Sequence, residues 1–291
     1  MNNAFSKLIF KAGARKRNPD LFSYANELKE SDFFSRDQYD EIKRNKLSNL
    51  FEFASKHSNY YQKILPKYSK EDDVLNVLKD VPILTKSDLI QNHDSIQCYD
   101  QFTKLFLAET SGSTGQPFKF KKDLKWDTLN RASIVRSYWW YEVQPWEKNG
   151  YFWGYNFDSN QVFKTQLLDG LQNRFRAFNF NKKNLAQFLE KLTSASFLHG
   201  YSSVIYEVAK IAIELGYSPK DFPELKMIKG TSEKIYNYYH EPVIEVFGSK
   251  IVSEYGAAET GRIAFECPEG NMHGNEENVI VEEVEGNVVV T

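Results

Sequence analysis

The chain has 291 residues, 41% hydrophobic and 15% aromatic, enough apolar material for one large core or two smaller ones and too much for extended disorder. Its 37 basic and 39 acidic residues leave a net charge of −2, so no global field draws nucleic acid or a membrane, and any phosphate must be held locally. Two cysteines, Cys98 and Cys267, make no disulfide framework, and the N-terminus has no secretory apolar run, which together point to a reducing cytoplasm. No stretch reaches the ~20 apolar residues of a membrane-spanning helix, which leaves no integral membrane segment.

The first residues are basic, with Lys7, Lys11, Arg15, Lys16 and Arg17 around Phe5, Leu8, Ile9 and Phe10. They read as a membrane-surface helix or as an amphipathic helix docked on its own domain, and so short an apolar face favours docking. From Ser35 to Leu65 the apolar positions Leu47, Leu50, Phe51, Ala54, Tyr61, Ile64 and Leu65 follow helical spacing. Ser35 and Gln38 have capping-box spacing at its start, and Pro66 ends it. A short helix is expected over 71–79, then an extended link, Val81-Pro-Ile-Leu-Thr-Lys, into Asp88.

Strand character over 104–110 and 117–121 brackets a Gly/Ser/Thr loop, and Asp123 is placed to cap a helix running to about Tyr141. Tyr151-Phe-Trp-Gly-Tyr155 reads as a buried strand entering a turn. Helices are then expected over 185–192, 204–215 (closed by Gly216) and 233–247, alternating with strands over 196–199, 225–229 and 250–253. Such alternation implies parallel βαβ units, whose ligands bind beyond the carboxyl ends of the strands. Three turns lie there: Gly200-Tyr-Ser-Ser203, Gly230-Thr-Ser-Glu233 and Tyr255-Gly-Ala-Ala-Glu259. The chain closes with a strand over 262–266 and a hairpin over 279–291 that turns at Glu285-Gly-Asn287.

In Thr110-Ser-Gly-Ser-Thr-Gly-Gln-Pro117, Gly112 and Gly115 let backbone amides approach an anion, while Ser111, Ser113 and Thr114 add hydroxyl donors. No Gly-Lys-Ser/Thr follows, and the flanks are strand and strand, which excludes a Walker-type NTPase. Alone, such a loop reads equally well as a solvated hairpin turn.

Together with Tyr255-Gly-Ala-Ala-Glu259, this loop resembles the paired signatures of the adenylate-forming superfamily. The helix ending in Asn59-Tyr-Tyr61, the Val81–Asp88 link, Gly230–Glu233, and Glu266-Cys through His273 are similar to the phenylacetate-CoA ligase branch, which includes the CapK-like proteins of capsular polysaccharide gene clusters. The resemblance covers residues 45–291 as an AMP-binding domain, with 1–44 as a helical extension. It implies an α/β fold, the large N-terminal domain of an adenylate-forming enzyme, with layered sheets, parallel βαβ units flanked by helices, and β-hairpins.

It also implies roles. Thr110, Ser111, Gly112, Ser113, Thr114 and Gly115 would cradle the ATP phosphates while a carboxylate attacks the α-phosphorus. Thr114 and Glu259 would meet Mg²⁺ as the catalytic pair. Tyr255 and Gly256, with Gly230, Thr231, Ser232 and Glu233, would face the adenine. Without the resemblance, Tyr255 reads as a core tyrosine and Ser232 as a helix cap. The acyl pocket would draw on Trp153, Tyr155, His199, Gly200 and Tyr201, a set that would serve a hydrophobic core equally well.

The family often has lysine where Gln116 stands, so Mg²⁺ or another side chain must offset the phosphate charge. The substrate would be a small carboxylic acid, with CoA as co-substrate. The family's Arg/Tyr-x-Gly-Asp segment and its lysine-bearing C-terminal domain do not occur in the sequence, so the expectation is an adenylation domain truncated before its lid. Two readings follow: a ligase of which this is the major part, or a non-catalytic nucleotide-binding remnant, with a polysaccharide role and a non-CoA acceptor as a variant. Cys267 and His273 supply only two of the four ligands a structural zinc site needs, and a strand end turning at Gly270 is the better reading.

Overall fold

The computed structural model describes residues 3–69, 71–110, 117–152, 159–177 and 181–291. The chain divides into two compact units. The first comprises Met1–Phe22, Ser133–Gly256 and Ala264–His273, the second Ser23–Ala132, Ala257–Ile263 and Gly274–Thr291.

Seven helices lead the chain: α1 (Asn3–Arg17), α2 (Leu21–Ser31), α3 (Arg36–His57), α4 (Tyr61–Ile64), α5 (Val74–Leu78), α6 (Lys86–Gln91) and α7 (His93–Ile96). A hairpin of β1 (Leu105–Glu109) and β2 (Lys119–Asp123) follows, then α8 (Leu124–Trp139). The alternating half runs β3 (Asn149–Phe152), α9 (Ser159–Leu171), β4 (Arg174–Arg176), α10 (Lys182–Leu192), β5 (Phe197–Tyr201), α11 (Ser202–Glu214), β6 (Met227–Thr231), α12 (Asn237–Phe247) and β7 (Val252–Ala257). The chain ends with β8 (Gly261–Glu266), β9 (Met272–Gly274), β10 (Val281–Val284) and β11 (Asn287–Val290).

Local chemistry sets several boundaries. Ser35 and Gln38 close a full capping box on α3, and Thr85 and Asp88 close another on α6. Asp123 Oδ1 accepts from the Lys125 and Trp126 amides and starts α8, while Asn181 starts α10. Gly216 and Gly248 stand in the left-handed region just past α11 and α12, as helix-ending glycines do. The two-residue turn between β10 and β11 puts Glu285 and Gly286 at φ of 52° and 78°, the backbone a tight hairpin demands.

Two expectations shift. The helix expected from Glu233 begins only at Asn237; residues 233–236 lie outside it, and the Ser232 before them takes a left-handed φ of 65°. Ser232 therefore does not cap it; Tyr236 holds that position without a side-chain bond. Tyr255-Gly-Ala257 is strand rather than turn, since β7 runs through Ala257. The sequence pattern gives no sign of β4: Arg174-Phe-Arg176 offers a single apolar residue.

The seven-stranded sheet has the order β4-β3-β5-β6-β7-β8-β9, and the pairs β3/β4, β3/β5, β5/β6 and β6/β7 are parallel. Both faces are apolar because successive residues point opposite ways. Leu198, Ile228, Ile251 and Phe152 enter a core with Leu185, Phe188, Leu189 and Leu192 of α10, Ile205 and Val208 of α11, and Val243 and Val246 of α12. Their neighbours Phe197, Met227 and Val252 enter a second core on the opposite face with Tyr138 of α8, Val143 and Phe265. Gly200 is required where β5 passes β3: a Cβ there would stand 2.5 Å from the Phe152 carbonyl oxygen.

A polar row crosses the same sheet. Register places Arg176 beside Tyr151, Tyr151 beside His199, and His199 beside Lys229. Arg176 grips buried Asp169 at 2.5 and 2.8 Å, and the Arg174 and Arg176 guanidiniums lie 4.3 and 4.8 Å from the Tyr151 ring. His199 stacks 4.5 Å from Tyr151 and meets Asn149 Oδ1 at 3.2 Å. Burial, and then the neighbouring Lys229, Arg174 and Arg176 charges, hold its pKa well below the ordinary value, so the imidazole is neutral.

In the second unit Leu47 and Phe51 of α3 pack on Val74 and Leu78 of α5, with Ile280 against them. A polar clamp ties 275–277 to the helices. Glu276 pairs with buried Lys43 and takes two bonds from Arg36 (2.8 and 3.1 Å), Glu277 accepts from Ser31, and Lys46 Nζ donates to the Glu277 carbonyl at 2.6 Å.

Substituting Gly200→Ala is expected to cost about 1–3 kcal/mol or more, because the added methyl meets backbone that cannot yield; urea unfolding at constant m-value measures it. The neutral His199 also makes stability depend on pH. The unfolded chain takes up a proton near pH 6.5 that the folded state refuses, so stability is complete above that pH and falls as the solution is acidified below it. His199→Gln is expected to flatten the plot of thermal midpoint against pH between about 7 and 5; an unchanged slope would contradict the assignment.

Candidate functional site

In the first unit a crevice of about 650 Å³ opens beside the carboxyl ends of β6 and β7, lined by Ser232, Glu233, Lys234, Ile235, His240, Glu254, Tyr255, Gly256, Glu266 and Met272 among others. The turn after β6 is possible because Gly230 has no side chain: a Cβ would lie 2.5 Å from Ser202 Oγ and 2.8 Å from Ile251. Its next residues are pinned from two sides. The Glu233 carboxylate accepts the Ser203 amide at 2.9 Å, at the start of α11, where an anion satisfies an otherwise unpaired helix N–H. Thr231 Oγ1 donates to Glu254 at 3.0 Å.

Glu254 is the pivot of this wall. Lys229, buried in the middle of the sheet, donates to both of its carboxylate oxygens at 3.0 Å. A second ion pair, Lys250 to Glu266 at 2.5 Å, underlies the crevice, and Glu266 also accepts the Ser253 amide at 2.9 Å. His240 lines the crevice with its pKa lowered by burial and drawn partly back by Glu266. Sequence reasoning passes over Glu254, Lys229, Glu266 and His240; the one available signal is Lys229, a lysine inside the apolar run that forms β6.

The predicted residues divide between several places. Gly230, Thr231, Ser232, Glu233, Tyr255 and Gly256 come together at the crevice, with the Tyr255 ring 48% exposed on its wall. Tyr201, the last residue of β5, is half-buried, and burial and then the Glu233 charge raise its pKa. Gly200 sits under Phe152, and His199 belongs to the buried row in the sheet rather than to the crevice lining. Trp153 and Tyr155, and Ser111, Gly112, Ser113, Thr114 and Gly115, lie outside the described residues.

The second unit holds the other part. β1 and β2 pair antiparallel from Leu105↔Asp123 to Glu109↔Lys119. One step further, the Thr110 amide donates to the Phe118 carbonyl at 3.0 Å and the Phe118 amide to Thr110 Oγ1 at 2.9 Å, which extends the pairing to Thr110 and Phe118. Glu259, half-buried, lines two adjoining pockets of this unit, of about 220 and 150 Å³, with Tyr99, Phe120, Lys121, Lys122 and Trp126 in the first and His93, Phe118 and Phe120 in the second. Lys122 Nζ rests 4.1 Å from the Trp126 ring; burial lowers its pKa while the Asp127 and Glu259 carboxylates oppose the shift. Among the described residues, no group of three or more His, Cys, Asp or Glu side chains is placed to hold a metal. His273 instead packs against Trp140, and 267–271 turns at Gly270, where φ is 89°. None of the helices among the described residues is long and apolar enough to cross a membrane.

No family model matches the sequence, and no curated protein does. Solved structures do match the fold. A 2-hydroxyisobutyryl-CoA ligase in complex with 2-HIB-AMP and CoA in the thioesterification state aligns with a TM-score of 0.65 and 18% identity, over 87% of this chain and 57% of that one. The same ligase in an open conformation with 2-HIB-AMP and CoA gives 0.63 and 16%, over 84% and 56%. Its postadenylation state with 2-HIB-AMP gives 0.63 and 16%, over 86% and 56%. This chain thus spans a little over half the length of those proteins. The mixed α/β fold, with its mostly parallel seven-stranded sheet and flanking helices, is that of the 2-hydroxyisobutyryl-CoA ligase over the aligned residues.

Proposed function

We propose that this chain is the nucleotide-binding body of an adenylate-forming ligase. A carboxylate oxygen attacks the α-phosphorus of ATP and pyrophosphate leaves; a thiol then attacks the acyl carbon and AMP leaves. What carries this reading is the occurrence, on a fold matched by a CoA ligase captured with 2-HIB-AMP and CoA, of a Ser/Thr/Gly sequence between the two strands of a hairpin together with the Tyr255–Glu259 segment. The acceptor is CoA, and the branch is the phenylacetate-CoA ligase and CapK-like one that the sequence resembles.

In this reading Tyr255, Gly256 and the 230–233 turn take the adenine end of ATP, and Thr110–Gly115 take the phosphates. Glu259 and Thr114 hold Mg²⁺. Magnesium in phosphoryl sites uses one or two carboxylates and fills its other positions with phosphate oxygens and water, which a single half-buried glutamate satisfies. When bound, the ion neutralises charge on the leaving pyrophosphate. Lys122 supplies the further cation that Gln116 does not: it stands in the pocket that Glu259 lines, held over Trp126, with its ammonium stabilised by the Glu259 and Asp127 carboxylates. The acyl group, from a small carboxylic acid, is assigned to Trp153, Tyr155, Gly200 and Tyr201.

Titration calorimetry with Mg²⁺ and ATP tests the nucleotide site. Glu259→Ala and Thr114→Ala are each expected to weaken binding about tenfold or more, a loss of ~1.4 kcal/mol; unchanged affinity in both removes the loop from the site. Carboxylic-acid-dependent exchange of pyrophosphate into ATP tests the chemistry. Lys122→Met keeps the stem over Trp126 and removes the charge, so it should lower the exchange rate by about 10- to 100-fold with little change in thermal midpoint. Full exchange in Lys122→Met would return the charge-neutralising role to Mg²⁺ alone.

A further inference from the structure

α1 is held to the first unit by one side only. Ser6 is buried, and Phe10 joins Phe22 and Trp146 in an aromatic trio with ring centroids 5.9–6.3 Å apart. Asn173 Nδ2 donates to Asn3 Oδ1 at 3.2 Å on the same side. At about 100° per residue, positions 5, 8 and 12 share the opposite side. There Phe5 is 52% and Leu8 67% exposed, with Ala12 one turn beyond and Arg15 and Lys16 on either flank, both exposed. A helix docked simply to finish its own core has no reason to turn two of its largest apolar side chains outward.

Charge is segregated onto the same helix. The first nineteen residues carry Lys7, Lys11, Arg15, Lys16 and Arg17 and no carboxylate, in a chain whose net charge is −2. Arg15, Lys16 and Arg17 lie in the last turn, where they complement the helix dipole. Lys7 and Lys11 rest on the aromatic trio, their ammoniums 5.4 and 5.9 Å from the Trp146 ring, which leaves the exposed Phe5 and Leu8, flanked by Arg15 and Lys16, without a role in the docked helix.

We propose that the outward face of α1 is a docking surface for an anionic lipid bilayer, with Phe5, Leu8 and Ala12 entering the headgroup boundary and the lysines and arginines meeting lipid phosphates. An acidic protein partner would satisfy the charges but would also have to supply a shaped apolar pocket for Phe5 and Leu8. A fluid apolar layer under negative headgroups asks for no more than depth and charge. Lysine and arginine stems reach from the level of such a stripe to the headgroups. So short a face gives weak, reversible, salt-sensitive binding.

The test is co-sedimentation of the full chain with vesicles of phosphatidylcholine containing phosphatidylglycerol, against pure phosphatidylcholine. Binding is expected to the anionic vesicles alone, and release at about 1 M salt, where the screening length is ~3 Å. Phe5→Ser with Leu8→Ser, and separately Arg15→Gln with Lys16→Gln, should each reduce partitioning about tenfold or more. All four side chains are exposed, so the thermal midpoint and circular dichroism should be unchanged. Absence of binding to anionic vesicles, equal binding to neutral ones, or full binding by the serine pair would each overturn the proposal. So would displacement of the helix by an acidic polypeptide with no retention on vesicles.

Discussion

A parallel sheet cannot leave a face in water. In the first unit this constraint is met residue by residue: Phe197 and Leu198, Met227 and Ile228, and Ile251 and Val252 are neighbours in sequence that enter opposite cores. With α10, α11 and α12 covering one face and Tyr138 of α8 with Phe265 the other, the faces are closed and the strand ends stay open. The crevice beside β6 and β7 follows from that covering, as does the need for glycine at 200 and 230, where backbone and neighbouring side chains approach too closely for a Cβ.

The walls of the crevice depend on charges placed below the surface. Lys229 holds both oxygens of Glu254, Thr231 adds a third bond, and Lys250 with the Ser253 amide does the same for Glu266. A pair as buried as Lys229–Glu254 is a poor source of net stability, since desolvation consumes most of its Coulomb energy. The effect here is orientation: a carboxylate with two or three fixed donors has one position, and the Tyr255 strand that carries it inherits that position. Arg176 and Asp169 play the same part at the other edge of the sheet, beside a His199 that burial, and then the Lys229, Arg174 and Arg176 charges, keep neutral.

In a chain whose net charge is −2, any anion would have to be met by local groups, and several stand in the second unit. The Thr110–Phe118 bonds fix the mouth of the hairpin, while Lys121, Lys122 and Glu259 share a pocket beside β2. Both lysines also rest on aromatic faces, Lys122 on Trp126 and Lys121 on Tyr99, at 4.1 and 4.4 Å.

The sequence by itself determined the elements whose signals are local. The capping box at Ser35, the Asp123 cap, the glycine after α11, the hairpin turn at Glu285–Gly286 and the βαβ alternation are decided by a few adjacent residues, and the paired loop signatures led to the fold. Boundaries were legible only where no long-range contact competed: Ser232 looks like a helix cap, yet the chain around it is bent by Glu233 bonding to Ser203 and Thr231 to Glu254, partners 30 and 23 residues away. Only the tertiary structure could decide that β4 is a strand, since Arg174 and Arg176 become tolerable in a sheet through Asp169 and the Tyr151 ring. The same holds for His199, whose polar side chain reads as a site residue until the register places it in the buried row among Tyr151, Asn149 and Lys229. Periodicity reports which face of an element is apolar; which charge neutralises which, and which side chain reaches a crevice, depends on distances that no linear pattern contains.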